Sequence, residues 1–277
     1  SIRRFIKMNN FFTRIVSGVV YIFFLISSIL YSKISFLALF FVMMLLCLYE
    51  FMKMIRLKSV FPYIIGILTY IFGNILSVED VPSKVIFQYA GVLLFLTIFC
   101  SFGWILLAKK EEIVSHLGKI FLSVIYIIVP FVLMVQIPFI NADDSYAKNT
   151  ILGVFILIWT NDSFAYLIGK NFGKIKLLER ISPNKTVEGF IGGMIACFVM
   201  SYFIAQYFTT LSLTQWIVLA ALVSVFGVLG DLIESMFKRQ GGIKDSSNLI
   251  PGHGGFLDRF DSVIFAAPFI FIYLQIV

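Results

Sequence analysis

The chain has 277 residues, 60% of them hydrophobic and only 13% charged, with a mean hydropathy of +0.98. Soluble domains carry about a quarter charged residues, so this balance excludes a water-soluble globular protein and specifies a polytopic membrane protein. The net charge of +7 would direct a soluble protein toward nucleic acid, but here its placement along the chain orients the membrane spans instead.

The basic N-terminus, SIRRFIKMNNFFTR, leads into an apolar run with no small-residue cleavage site, so it is expected to be a retained first helix and not a signal peptide. A hydrocarbon core of about 30 Å takes about 20 helical residues. Runs of suitable length fall at 15–31, 34–52, 61–78, 85–108, 119–140, 150–168, 187–209, 212–237 and 262–277. The expectation is an all-α polytopic protein with nine transmembrane helices. Alternating the connections gathers 19 of the 22 Lys and Arg residues on one side, leaving Lys33, Lys84 and Lys148 on the other with Glu79, Asp80, Asp143 and Asp144. Because Lys and Arg are retained in the cytoplasm, the N-terminus is predicted inside and the C-terminus outside.

Residues 1–149 read as scaffold helices with short polar links, and 150–277 as the catalytic helices and loops of the same integral membrane unit. No repeat, linker or low-complexity segment marks a further domain. Lys53, Arg56 and Lys58 read as positive-inside anchors, and His116 as an interfacial residue. Cys47, Cys100 and Cys197 stand in separate apolar runs without CxxC spacing, as buried inert thiols.

From Thr160 onward polar residues enter the spans. Asn161, Asp162 and Ser163 lie inside an apolar run. A carboxylate there costs about 2.5 to 3.5 kcal/mol on insertion scales, so it needs a partner or a task. The following loop carries Lys170, Lys174, Lys176, Arg180 and Lys185. Its segment from Ser182 to Glu188, SPNKTVE, is predicted as a turn that opens the seventh span, capped by Asn184 or Thr186. A helix N-terminus beside Lys185 would suit a phosphate. Gly189, Gly193 and Ala196, and then Ser224, Gly227 and Gly230, form small faces that let helices approach each other or a neighbour closely.

The densest polar region is 235–261, SMFKRQGGIKDSSNLIPGHGGFLDRFD. Lys238, Arg239, Lys244, Arg259, Asp245, Asp258, Asp261, His253 and five glycines share its 27 positions. Asp231, Glu234, Ser235 and Lys238, spaced i, i+3, i+4 and i+7, occupy one helix face, and Asp258 and Asp261 share another. Converging carboxylates need cations to coexist. Oxygen ligands without His or Cys suit a hard ion such as magnesium, which is held by one or two carboxylates plus substrate phosphates. Fixed positive charge and glycine-rich backbone N–H groups suit a polyphosphate. Together these describe phosphoryl or nucleotidyl transfer, in which positioning and charge neutralisation supply most of the catalysis.

Ser235, Lys238-Arg239, Lys244-Asp245, Pro251, His253-Gly254-Gly255, Asp258-Arg259 and Asp261 resemble, in order and spacing, the signature of the phosphatidate cytidylyltransferases, also called CDP-diacylglycerol synthases. The upstream segments GDLIES, SPNKTVEG and NDSFAYLIGKNFGK extend the resemblance over about 159–262. The resemblance implies magnesium-dependent conversion of CTP and phosphatidate to CDP-diacylglycerol and pyrophosphate, for phospholipid synthesis. The phosphatidate phosphate is already an anionic nucleophile, so no strong general base is required, which fits a chain with two histidines.

In this reading Asp231, Asp258 and Asp261 hold metal, with Asp245 or Glu234 as helpers. A second, monovalent ion is an open alternative. Lys238, Arg239, Lys244 and Arg259 neutralise the CTP phosphates and the leaving pyrophosphate, and Asp245 and His253 complete the catalytic set. Asn161, Asp162, Ser163, Ser182, Lys185, Glu188, Ser235, Gly254 and Gly255 bind substrate, with Lys185 and 161–163 on the lipid headgroup side. The resemblance further implies a homodimer. A bacterial inner membrane is expected, with the site on its cytoplasmic face and no role for nucleic acid. The rival readings are a CTP-dependent lipid kinase and a transporter of an anionic solute. The transporter is disfavoured because the polar residues cluster on one side and no paired repeats occur.

Overall fold

In hydrocarbon the backbone N–H and C=O groups must be satisfied within their own segment, which forces apolar runs into helices. The computed structural model describes residues 2–74, 113–140, 146–252 and 254–277, with backbone alone at 2–15 and 113. Its helices are α1 (Ile2–Tyr31), α2 (Lys33–Met54), α3 (Phe61–Asn74), α4 (Ile113–Ser123), α5 (Val129–Gln136), α6 (Lys148–Phe172), α7 (Val187–Tyr207), α8 (Leu213–Gly241) and α9 (Leu257–Ile276). A π turn at Val124–Ile128 joins α4 to α5, so that Val114–Phe139 forms one apolar rod.

Among the described residues six helices are long and apolar enough to cross a membrane: α2, the α4–α5 rod, α6, α7, α8 and α9. Val16–Tyr31 and Phe61–Asn74 are shorter apolar helices. The protein is thus a mostly helical polytopic membrane protein. The expected span 85–108, the end of the one at 61–78, and Cys100 lie outside the described residues; Cys47 and Cys197 are buried free thiols.

Two boundaries differ from expectation. The last helix begins at Leu257, ahead of the apolar run at 262, and it holds Asp258 and Asp261 in its first turns on the shared helix face expected of them. The segment expected as a turn at 182–186 is a short strand, β2 (Ser182–Thr186), paired antiparallel with β1 (Lys176–Leu178). Pro183 is tolerated because the strand is an exposed sheet edge. Of the two expected caps, Thr186 takes the role: its hydroxyl accepts from Gly189 N at 3.2 Å.

The sequence sets the other ends as well. Ser32 with Ser35, and Ser212 with Gln215, form capping boxes at α2 and α8. Gly242, at φ 71°, ends α8 in the left-handed conformation, and Ile243 N returns to Lys238 O at 2.9 Å.

The core is aromatic and centred on α9. The Phe260 ring meets Tyr21 (α1), Phe40 (α2), Phe131 (α5) and Phe155 (α6) at centroid distances of 6.2, 6.0, 5.5 and 6.4 Å. The contacts with Tyr21, Phe40 and Phe155 are edge-on and that with Phe131 is tilted, and such ring contacts fix orientation as well as burying area. They leave the face of α9 that carries Asp261 and Phe265 to pack on α8.

The small faces seat on neighbours. On α7, Gly189 and Gly193 lie against Ala165 and Asn161 of α6, while Gly230 of α8 lies against Asp261 and Phe265 of α9. A methyl at Gly230 would stand 2.5 Å from Asp261 O and 2.7 Å from Phe265 Cβ. Gly230→Ala is therefore expected to cost about 1 to 3 kcal/mol of stability, as overpacked cores do. It should also lower activity by parting Asp231 from Asp261; unchanged thermal unfolding and turnover in detergent would contradict this close approach.

Candidate active site

Four pieces of chain build the site: the middle of α6, the β2 strand, the last three turns of α8, and the loop 243–256 leading into α9. The α8 helix delivers Asp231, Glu234, Ser235 and Lys238 along one side, as their spacing requires. Asp231 accepts from Ser235 Oγ at 3.3 Å through Oδ1 and pairs with Lys185 Nζ at 2.7 Å through Oδ2. Lys185 and Asp231 therefore face each other, although 46 positions of sequence separate them. Asp162 on α6 lies close enough to feel the charges of Asp231, Lys185 and Arg259, and Asp261 feels both Asp231 and Asp162. Asp162 and Ser163 are exposed on the protein's own surface. Asn161 is buried, with Oδ1 lacking a hydrogen-bond partner among the described residues.

A second ion cluster lies one turn further along α8. Lys238 Nζ bridges Glu234 Oε2 and Asp258 Oδ1, the latter at 2.7 Å. Glu234 is completely buried, so this lysine is the cation that makes its ionised form tolerable there. The other oxygen of Asp258 is also engaged: Oδ2 accepts from Gly255 N at 2.8 Å and from Ser246 N and Ser246 Oγ at 3.0 Å each. Asp258 thus joins Lys238 to the signature loop. Asp261, 9% exposed, accepts from Ser262 N through Oδ1.

Other expected residues are placed less centrally. Arg239, Lys244, Asp245 and Arg259 are exposed around the loop. Ser182 is half-buried on β2. Both oxygens of Glu188 accept from Ile175 N at 3.2 Å, which fastens the β1–β2 hairpin to the start of α7. Gly254, at φ +85°, forms a bridge with Ile250, whose N–H donates to Gly254 O at 2.9 Å. His253 lies outside the described residues.

One carboxylate was missed. Glu50, on α2 and 0% exposed, reaches into this loop from the half of the chain read as scaffold. Its Oε2 accepts from Ser246 Oγ at 2.9 Å and Leu257 N at 2.8 Å, and its Oε1 from Ser247 Oγ at 2.6 Å and Phe256 N at 3.0 Å. The two N–H groups belong to the unsatisfied first turn of α9, so a glutamate from another helix acts as its cap. Gly255 is required beside it, because a Cβ there would run into Ser246 Oγ and the Glu50 carboxylate. The signal was available: a lone carboxylate inside an apolar run, the same argument that singled out Asp162.

Could the site accept magnesium? Among the described residues no group of three or more His, Cys, Asp or Glu side chains is arranged to hold a metal ion by itself. Magnesium does not need such a cage, since one or two carboxylates plus substrate phosphates suffice. Asp162, Asp231, Glu234, Asp258 and Asp261 set against Lys185, Lys238 and Arg259 leave an excess of oxygen donors and negative charge. That donor chemistry fits a hard cation, with Asp231 and Asp261 brought together by the Gly230 contact.

Known proteins are similar in sequence to between 45% and 95% of this chain. A phosphatidate cytidylyltransferase of Bacillus subtilis (strain 168) is 36% identical over 271 residues, covering 95% of this chain and 97% of that protein. One from Staphylococcus aureus (strain COL) is 40% identical over 178 residues, 64% of this chain and 66% of its own length. One from Staphylococcus epidermidis is 48% identical over 126 residues, 45% of this chain and 48% of its own length. The family model for the cytidylyltransferase family matches residues 12–277. With its paired lysines, its carboxylate cluster and this match, the chain belongs to the cytidylyltransferase family.

Proposed function

We propose that this protein transfers the cytidylyl group of CTP to phosphatidate, giving CDP-diacylglycerol and pyrophosphate for phospholipid synthesis. The observation that carries this reading is the pair of lysines, Lys185 and Lys238, each seated on a carboxylate at the junction of α8 and α9, in a chain similar along nearly its whole length to a phosphatidate cytidylyltransferase.

A phosphatidate phosphate oxygen attacks the α-phosphorus of CTP in line. The bond between the α-phosphorus and the bridging oxygen breaks, and pyrophosphate leaves with that electron pair. Lys238, with Arg239, Lys244 and Arg259 around the loop, neutralises the triphosphate and the charge that builds on the leaving group. Lys185, beside Asp231 and Asp162, receives the lipid phosphate. No side chain has to remove a proton, because the nucleophile is already an anion. Magnesium would be held by Asp231 and Asp261, with Asp258 as a further ligand that keeps its bond to Lys238, and would neutralise the phosphates as a Lewis acid.

The same reading places nine helices in a bacterial inner membrane, the N-terminus and the site on the cytoplasmic side, and two copies in a homodimer. The charge distribution along the chain supports the orientation.

The test is purified protein with CTP labelled at the α-phosphorus, phosphatidate and magnesium. Label is expected in a lipid product, with one pyrophosphate released per lipid and no turnover after chelation. Label left in soluble CDP would instead identify a CTP-dependent kinase, and no consumption of CTP would sink the reading.

A further inference from the structure

We propose that Glu50 is a positioning residue for Lys238, acting across the two halves of the chain through Ser246 and Asp258. This inference rests on the reading of the site as the nucleotidyl-transfer centre. The connection is continuous. Ser246 Oγ lies 2.9 Å from Glu50 Oε2 and 3.0 Å from Asp258 Oδ2, and Asp258 Oδ1 lies 2.7 Å from Lys238 Nζ.

One hydroxyl proton is shared between two carboxylates, so the serine can sit between them only while both hold their places. Glu50 is held independently by Ser247 Oγ, Phe256 N and Leu257 N. It therefore fixes both ends of the loop, 246–247 and 256–257, relative to α2. Asp258 follows directly on the second end. A loop so pinned keeps the Asp258 carboxylate facing Lys238. Without the pin the carboxylate and its lysine can shift together, and misplacement by about 1 Å costs about 100-fold in rate.

The two serines separate positioning from mere bracing. Ser246 reaches both Glu50 and Asp258, whereas Ser247 reaches Glu50 but is not hydrogen-bonded to Asp258. Glu50→Gln, which keeps the shape, is expected to lower kcat by about 10- to 100-fold with KM for CTP changed far less. Ser246→Ala should lower kcat similarly, and the double variant should be no worse than the poorer single one, since coupled residues are not additive. Ser247→Ala should lower thermal stability and leave kcat within about two-fold.

A folded Glu50→Gln protein with unchanged kcat, or additive losses in the double variant, overturns the proposal. Should Glu50→Gln fail to fold, equal kcat losses in the two serine variants overturn it, and a loss confined to Ser246→Ala supports it. If the wild-type protein makes no CDP-diacylglycerol, the proposed reaction falls instead. Hydrogen exchange at the amides of 246–257 then decides the inference. Faster exchange in both Glu50→Gln and Ser246→Ala supports the pin, and unchanged exchange refutes it.

Discussion

Asp258→Ala is expected to abolish CDP-diacylglycerol formation, a fall of roughly 10³-fold or more, in protein that still inserts into the membrane. The side chain has four partners: Lys238 on one oxygen, and Ser246 N, Ser246 Oγ and Gly255 N on the other. Its removal leaves Lys238 held by Glu234 alone and turned from the position it shares with the loop. Insertion is unaffected, because losing a charge from an apolar helix makes the helix cheaper to insert. Asp258→Asn separates packing from charge. It keeps the volume but places an NH₂ where an acceptor was, so it should fold more stably than the alanine variant and be nearly as inactive. Label incorporation from CTP, normalised to folded protein, measures both, and an active asparagine variant would remove Asp258 from the mechanism.

Lys238→Met should produce the largest loss of stability. Glu234 is 0% exposed, and it and Asp258 lie on either side of the ammonium group. Without the lysine, two buried carboxylates face each other with no cation between them. Breaking a buried ion pair by removing one partner costs about 3 to 5 kcal/mol, and here two acids lose the same partner. Adding Glu234→Gln to Lys238→Met removes one of the opposed charges and should recover part of the melting temperature. Activity should not return, because the cation that neutralises the triphosphate is still missing. Thermal unfolding in detergent and turnover measured side by side decide the matter: recovery of both together would mean that Lys238 serves stability alone.

Asp231, Glu234 and Lys238 could be read from sequence because helical spacing dictates which residues share a face, and the structure sets that face against α9. The link between Lys185 and Asp231 could be anticipated only through the signature as a whole, since no periodicity relates a residue on a strand to one on a helix. Glu50 and Ser246 escaped for different reasons. Glu50 has only Lys53 at i+3, which reads as a positive-inside anchor, and no second acid at i+3 or i+4 to form a cluster with it. Ser246 is one of two adjacent loop serines, and hydrogen bonding to two carboxylates at once is a property of three-dimensional placement. The hairpin was missed because KLLERISPNKT shows turn residues but no alternation, and its strands are only three and five residues long.

That hairpin has a consequence for how the two phosphates are gripped. Two-stranded hairpins are at best marginally stable alone, and this one is mostly exposed. It is fastened near its base by Glu188, by the Val187 N to Ile175 O bond and by the Thr186 cap. Lys185 rides on it, while Lys238 is set in a helix and locked between two acids. One side of the grip is thus a fixed jaw and the other a hinged one, with a low local cost of opening. In the proposed reaction the hinged jaw is the one assigned to the lipid substrate, which must come and go with its chains in the bilayer, and the fixed jaw the one assigned to the nucleotide, whose α-phosphorus has to be held still.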